Sequence, residues 1–416
     1  MPFEFGTEVY RKAFPDHRES PNRPTIRGYI SYGLRFPAAC AKHINDSSCA
    51  NVYIIVSRTL ANLTPCLEDL KAALGSKVVG VRIGMTSHTL WSECVEVTNE
   101  CRELGVDLIV TLGGGSLTDA AKLIALALAN DVKESEDLKK LPKALGANTT
   151  ETKAPTVPII CIPTTLSGGE WTNHSGATED ATRRKYQFAP PLRGPSIVIL
   201  DPELTTTTPD KIWLSTGVRA VDHCVETLCS LINNKKGDAD ATQGLKALIS
   251  GLLKCKTDRN DLEARLSCQI GVMFALSGPC RQSKPGLGAS HAIGHMMGPL
   301  GVGHGETSCI VLPAVCKFNA SKGVNVERQE KILEMLWELP EIQDLGLDKA
   351  KTDLGDILDA FFRALGMPRT LKDVGIEGDT IEELAENTLH DEFAGTNPHP
   401  LKTKEDVMEI LELVKG

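Results

Sequence analysis

Residues Asp107 to Lys122 read DLIVTLGGGSLTDAAK. An apolar, β-branched run stops at Gly113-Gly114-Gly115-Ser116, and a helix-forming stretch follows with Asp119 in its first turn. Strand, glycine turn and helix in that order form the first half of a βαβ unit. Glycines lack Cβ, so their N–H groups can approach a phosphate, and the helix N-terminus adds partial positive charge. The pattern is neither GxGxxG nor GxxxxGK followed by Ser or Thr, so it indicates neither the usual dinucleotide fingerprint nor a P-loop.

The alternation extends in both directions. Upstream, a strand is expected at Asn51 to Val56, a helix over Arg58 to Leu74, a strand at Val78 to Ile83 and a helix from Leu90 to Leu104. Downstream come a helix from Leu117 to Ala129, a polar surface excursion over 130–154, and strands at Val157 to Ile162 and Ser196 to Leu200. Residues 1–50 read as irregular with one hairpin, because Pro, Gly and Arg interrupt every apolar run. After Asp201-Pro202 the periodicity is helical throughout. The expected fold is an α/β domain with a parallel sheet, residues 1–202, followed by an all-α domain, residues 203–416.

A formal charge of −9 argues against nucleic acid or an anionic membrane as partner, since either needs a concentrated basic surface. A small molecule is the expected ligand. Thirteen cysteines without regular spacing, and no apolar run of bilayer length, point to reduced thiols in a cytoplasmic protein.

The stretch Ala289 to Glu306 carries His291 and His295 at an i, i+4 spacing, then His304 beyond a glycine-rich break. On a helix the first two imidazoles share a face, as a metal or proton-transfer site requires.

Gly113 to Lys122, GGGSLTDAAK, resembles the GGGSxxDxAK signature of the iron-containing alcohol dehydrogenase superfamily, whose fold is shared with dehydroquinate synthases. Pro163-Thr164-Thr165 with Ser167-Gly168-Gly169-Glu170, Arg183-Arg184-Lys185, Asp201-Pro202-Glu203-Leu204 and the NPHPL at Asn397 are similar to later landmarks in the family's order. The resemblance implies that residues 1–202 are a dinucleotide-binding domain and residues 203–416 a catalytic domain, with NAD(P) in a cleft between the two. Gly114, Gly115 and Ser116 would hold the pyrophosphate with Asp119 in the same loop, Thr164 and Thr165 would line the cofactor, and Lys185 would point into the active site. Arg58 stands after the first strand where NAD-preferring relatives tend to place Asp, which favours NADP over NAD.

Iron-type members bind a cation with one Asp and three His, the first two from a DxxxH helix. Here His223 matches the histidine, but Arg219 stands in the place of the aspartate. Asp222 does not simply replace it, because adjacent helical residues point about 100° apart, and Glu226 at i+3 from His223 is the better-placed stand-in. His291 and His304 match the other ligands and His295 a histidine near the nicotinamide. A guanidinium does not ligate metals and opposes a dication. The departure resembles maleylacetate reductases, so no metal is expected. The implied activity is NAD(P)H-dependent reduction of a small carbonyl or oxo/enone carboxylate. Arg219, His223, His291, His295, His304 and Lys185 would be catalytic, in a possible homodimer. The alternatives are a metal-dependent alcohol dehydrogenase using His223, His291 and His304, a lyase or isomerase on the same scaffold, and a non-catalytic nucleotide-binding protein.

Overall fold

The computed structural model describes residues 4–14, 28–86, 89–143, 152–232, 234–281 and 286–416, without the side chains of 278–281. The chain divides into two compact units, Met1–Thr207 and Thr208–Gly416.

Among its described residues the first unit has nine strands: β1 Val9–Lys12, β2 Tyr29–Tyr32, β3 Val52–Val56, β4 Val78–Ile83, β5 Leu108–Gly113, β6 Ile159–Pro163, β7 Ser175–Thr178, β8 Lys185–Phe188 and β9 Ile197–Leu200. Seven form one sheet in the order β1-β2-β9-β6-β5-β3-β4. All its pairings are parallel except β1 with β2. β7 and β8 make a separate antiparallel hairpin.

Every residue of β3, β5 and β6 is buried, as a parallel sheet covered on both faces demands. Alternation sorts the side chains. Tyr53 and Ile55 join one core with α4 (Trp91–Glu103) and α5 (Gly115–Ala129). Val52, Ile54 and Val56 join another with α1 (Phe36–Asn45) and α3 (Cys66–Leu74).

Three local features depart from the sequence expectation. The helix expected over Arg58 to Leu74 is broken into α2 (Arg58–Leu63) and α3, because Pro65 has no N–H to continue the ladder. α1 and the β7–β8 hairpin were not anticipated. The N-terminal hairpin is present as the β1–β2 pair, while 15–27 lie outside the described residues. The excursion after α5 holds one 3₁₀ segment, Ser135–Lys140, and 144–151 lie outside the described residues.

The second unit has no strand among its described residues. After the turn α6 (Pro202–Thr205) that closes the first unit, it contains α7 (Asp210–Cys229), α8 (Lys235–Thr257), α9 (Leu262–Arg281), α10 (Ala289–Met297), α11 (His304–Ser321), α12 (Val326–Trp337), α13 (Pro340–Gln343), α14 (Leu354–Ala364), α15 (Asp379–Thr388) and α16 (Lys404–Glu412). α10, α11, α15 and α16 pack around one apolar core that includes Ile293, Val311, Phe318, Leu384 and Ile410.

Candidate active site

The sheet reverses its strand order between β3 and β5. From β3 the chain proceeds outward to β4, and from β5 it proceeds the other way to β6. In open α/β sheets such a switch point opens the crevice where ligands bind, beyond the C-terminal strand ends. Those ends carry Ser57-Arg58 and Gly113 to Ser116.

The loop has no room for side chains. Gly113 has φ 147°, and a Cβ there would stand 2.7 Å from Leu117 Cδ1 and 3.0 Å from Ser57 Cβ. A Cβ on Gly114 would meet Thr165 Cγ2 at 3.3 Å, and one on Gly115 would meet Ser167 Cβ at 3.1 Å. Gly114 is the N-cap of α5, so the N–H groups of its first turn are available to an anion. Thr164 donates its N–H to the Gly113 carbonyl at 3.1 Å, and Ser116 is exposed beside it. Arg58, exposed at the start of α2, lies across Gly84, whose added Cβ would be 3.2 Å from Nε.

Asp119 points elsewhere. Its Oδ1 pairs with Lys122 Nζ at 2.8 Å, and its Oδ2 accepts the Gly176 N–H at 3.2 Å. Lys122 is fully buried and also donates to the carbonyls of Gly169 and His174 and to Thr172 Oγ1. This ammonium ties α5 to the irregular segment after β6. Burial pushes the neighbouring Glu170 carboxyl up to about 7. Lys185 is exposed on β8, its stem crossing Gly176 where a Cβ would touch Cε at 2.5 Å.

In the second unit three helices each contribute residues at helical spacing. α7 supplies Arg219, Asp222, His223 and Glu226, at i, i+3, i+4 and i+7 on one face. α10 supplies His291 and His295, and α11 His304 and Ser308.

Arg219 Nη1 donates to Asp222 Oδ2 and to Ser308 Oγ, each at 3.1 Å. The same carboxylate oxygen accepts from the hydroxyls of Ser290 and Ser308. Asp222 is therefore the counter-ion of the arginine, a role its i+3 position allows. Asp222 Oδ1 is buried with no hydrogen-bond partner among the described residues.

Glu226 accepts the N–H groups of Gly288 and Ser290, at 2.9 and 2.8 Å, and its Oε2 lies 2.6 Å from His291 Nδ1. His291 Nε2 is 3.2 Å from His223 Nε2, and His223 Nδ1 is 2.7 Å from the Arg219 carbonyl.

Only one proton arrangement satisfies this line without charging the imidazoles. His223 Nδ1 must donate to the carbonyl, which leaves Nε2 as an acceptor. His291 must then donate from Nε2 and accept at Nδ1, from a protonated Glu226. The local electrostatics agree. Burial, then the Asp222 charge, pushes the Glu226 carboxyl up to about 8. Burial, then the Arg219 charge, lowers His223 to about 3 and His291 well below the usual imidazole range.

A divalent cation fits this donor set poorly. Ligand atoms of Asp222, Glu226 and His291 lie within 4.8 Å of one another, but apart from Asp222 Oδ1 these groups are engaged by Arg219, two serines, two backbone N–H groups and each other. A lone open oxygen beside a guanidinium is not a coordination sphere. The paired Nε2 atoms of His223 and His291 could take a cation only in exchange for the proton between them.

His295 is half-exposed. Its Nδ1 lies 2.8 Å from Asp391 Oδ2, and its ring packs 5.7 Å from Phe393 and edge-on to His291 at 6.2 Å. His304 is the exposed first residue of α11, close enough for its charge to act on His291. The helices thus gather Arg219, His223, His291, His295 and His304, while Lys185 belongs to the other unit. Sequence reasoning missed Asp391, Ser290, Ser308 and the pairing of Asp222. Ser308 stands i+4 from His304, and Asp391 six residues before Asn397 in the singled-out NPHPL, spacings that were available to be read.

Comparison with known proteins agrees with this architecture. Residues 34–202 match the family model described as iron-containing alcohol dehydrogenase, and 213–414 match its C-terminal counterpart. The chain is similar to dehydrogenase FUM7 of Gibberella moniliformis, 39% identical over 95% of this chain and 98% of that protein. Dehydrogenase ALT3 of Alternaria alternata is 37% identical over 87% and 98%. Maleylacetate reductase 1 of Cupriavidus pinatubonensis stands further off, at 27% over 83% of each. Among solved structures, an iron-containing alcohol dehydrogenase from Thermococcus thioreducens shares the fold with a TM-score of 0.78 at 23% identity, over 94% of this chain and 98% of that one. A sulfoacetaldehyde reductase from Bifidobacterium kashiwanohense, solved with NAD+, has a TM-score of 0.78 at 21% identity over 94% and 98%.

Proposed function

Because the chain belongs to the iron-containing alcohol dehydrogenase family, we propose that it is an NAD(P)H-dependent oxidoreductase that reduces a small carbonyl or oxo/enone carboxylate without a metal. The observation that carries this reading is the Arg219–Asp222 pair beside a hydrogen-bonded line of Glu226, His291 and His223 that one arrangement of protons satisfies. The nicotinamide, when bound, supplies the hydride. Arg219 is the fixed positive charge that stabilises the developing oxyanion or holds the substrate carboxylate. His295, set on Asp391, gives the proton to the oxygen. The first turn of α5, with Gly114, Gly115 and Ser116, takes the pyrophosphate, Thr164 and Thr165 lie along the cofactor, and Arg58 favours NADP over NAD. The acidic substrate class draws on the likeness to the maleylacetate reductase. We place the enzyme in the cytoplasm as a homodimer; among the described residues no helix is long and apolar enough to cross a membrane.

A second reading is a metal-dependent alcohol dehydrogenase with His223, His291 and His304 as ligands. The 3.2 Å between the two Nε2 atoms favours it, since two imidazoles bound to one cation at about 2.0–2.1 Å come to a similar separation. The test is oxidation of NADPH and NADH with maleylacetate or 4-oxobutanoate, before and after chelator treatment, with metal content measured. Turnover that survives chelation is expected. Activity lost on chelation and restored by zinc or iron supports the second reading, and product formed without net NAD(P)H consumption supports a lyase or isomerase.

A further inference from the structure

His295 is held differently from its neighbours. The other two buried or half-buried imidazoles close a line that ends on the Arg219 carbonyl. His295 has only its Nδ1 engaged, by Asp391, and its Nε2 has no hydrogen-bond partner among the described residues. Asp391 is itself fixed. Its Oδ1 accepts the Phe393 N–H at 2.9 Å as the N-cap of a 3₁₀ turn, Glu392–Ala394. The segment that follows crosses to the other end of α10, where Thr396 Oγ1 donates to the Leu287 carbonyl at 2.6 Å and Asn397 Oδ1 accepts the Ala289 N–H at 3.1 Å. Residues 391–397 therefore brace α10 at both ends.

We infer that Asp391 is the positioning residue of the site, holding His295 as the Nδ1–H tautomer so that Nε2 is the nitrogen that exchanges a proton with the substrate oxygen. The inference rests on the role given to His295 above. On reduction, hydride adds to the carbonyl carbon, the C=O π pair moves to oxygen, and the Nε2 proton of the imidazolium forms the new O–H bond. His295 is left neutral with its remaining proton on Nδ1, and a proton taken up from bulk solvent reloads Nε2. A carboxylate on Nδ1 both fixes the tautomer and stabilises the imidazolium.

Asp391→Asn gives a directional test. The Phe393 N–H requires an oxygen at one end of the new carboxamide, so the NH₂ end must face His295 and donate to Nδ1, which forces the proton onto Nε2. In full-length protein labelled with ¹⁵N-histidine, with His295→Gln to identify the signals, the wild type should show a protonated Nδ1 and a bare Nε2, and the variant the reverse. In Asp391→Ala, which has no acceptor, the two tautomers should mix. With 4-oxobutanoate and NADPH as the probe, Asp391→Asn should lower kcat roughly 100-fold, the range of general acid catalysis, and change KM by less than about threefold. A His295 tautomer unchanged in both variants overturns the inference, as does an unchanged kcat in a wild type that turns the probe over. A tautomer that inverts in protein inactive toward every oxo acid tried supports the positioning role and counts against the functional reading alone.

Discussion

Glu226 accepts the Gly288 and Ser290 N–H groups and, protonated, donates to His291 Nδ1. In Glu226→Gln the NH₂ group must face either the Ser290 or the Gly288 N–H, leaving one buried donor unpaired at about 1–3 kcal/mol. The pH dependence should change as well. The folded Glu226 carboxyl sits at about 8 against an ordinary 4.5, so its stabilisation is complete below about 4.5 and lost as pH rises to about 8. His223 runs oppositely, at about 3 against 6.5: its contribution is present above 6.5 and lost as pH falls toward 3. Above pH 6.5 only the carboxyl still counts. Scanning calorimetry should find the wild-type melting temperature falling more steeply than that of Glu226→Gln between pH 6.5 and 8, and parallel slopes would sink the assignment. At this scale the sequence was partly legible. Arg219 in place of an aspartate could be read from one position, whereas its bond to Asp222 depends on serines from two other helices that no spacing within α7 reveals.

Packing of α11 against α7 turns on a glycine. A Cβ at Gly305 would lie 1.8 Å from the Ser215 carbonyl oxygen, a backbone atom that cannot swing aside. Gly305→Ala should therefore cost about 3 kcal/mol, at the upper end of overpacking penalties, and displace the start of α11 that carries His304. Urea unfolding measures the loss, and a change below about 0.5 kcal/mol, the range of an ordinary surface substitution, would contradict it. Long elements such as α7, α8 and α14 were legible because one buried face imposes a helical period, and β3 and β5 because burial on both faces leaves a continuous apolar run. β7 and β8 were not. Each has four residues, SGAT and KYQF, and the charged turn between them, EDATRR, carries no apolar alternation. The break at Pro65 was readable in principle, but the apolar pattern runs on past it.

On the proposed reading, the sheet order bears on cofactor choice. Because the reversal falls between β3 and β5, Ser57-Arg58 at the end of β3 stands beside the strand end that carries Gly113 to Ser116. Arg58→Ala should weaken NADPH binding about tenfold or more, the loss of a charge-assisted hydrogen bond of about 1.5–3 kcal/mol, and leave NADH within about twofold. Cofactor fluorescence titration decides it, and equal losses for both would show that the guanidinium does not contact a 2′-phosphate. Strand alternation and the shift to helices made the fold class readable from the chain. The sheet order was not readable, since nothing local to β2 or β9 says that they pair. The receptor around Arg219 also carries a historical consequence. A guanidinium at 219 without Asp222 and the hydroxyls of Ser290 and Ser308 would be an uncompensated buried charge, costing about 3–5 kcal/mol. Any lineage that exchanged a carboxylate for this arginine had to hold the aspartate and at least one serine beforehand, which fixes an order of substitutions that reconstructed ancestors can be checked against.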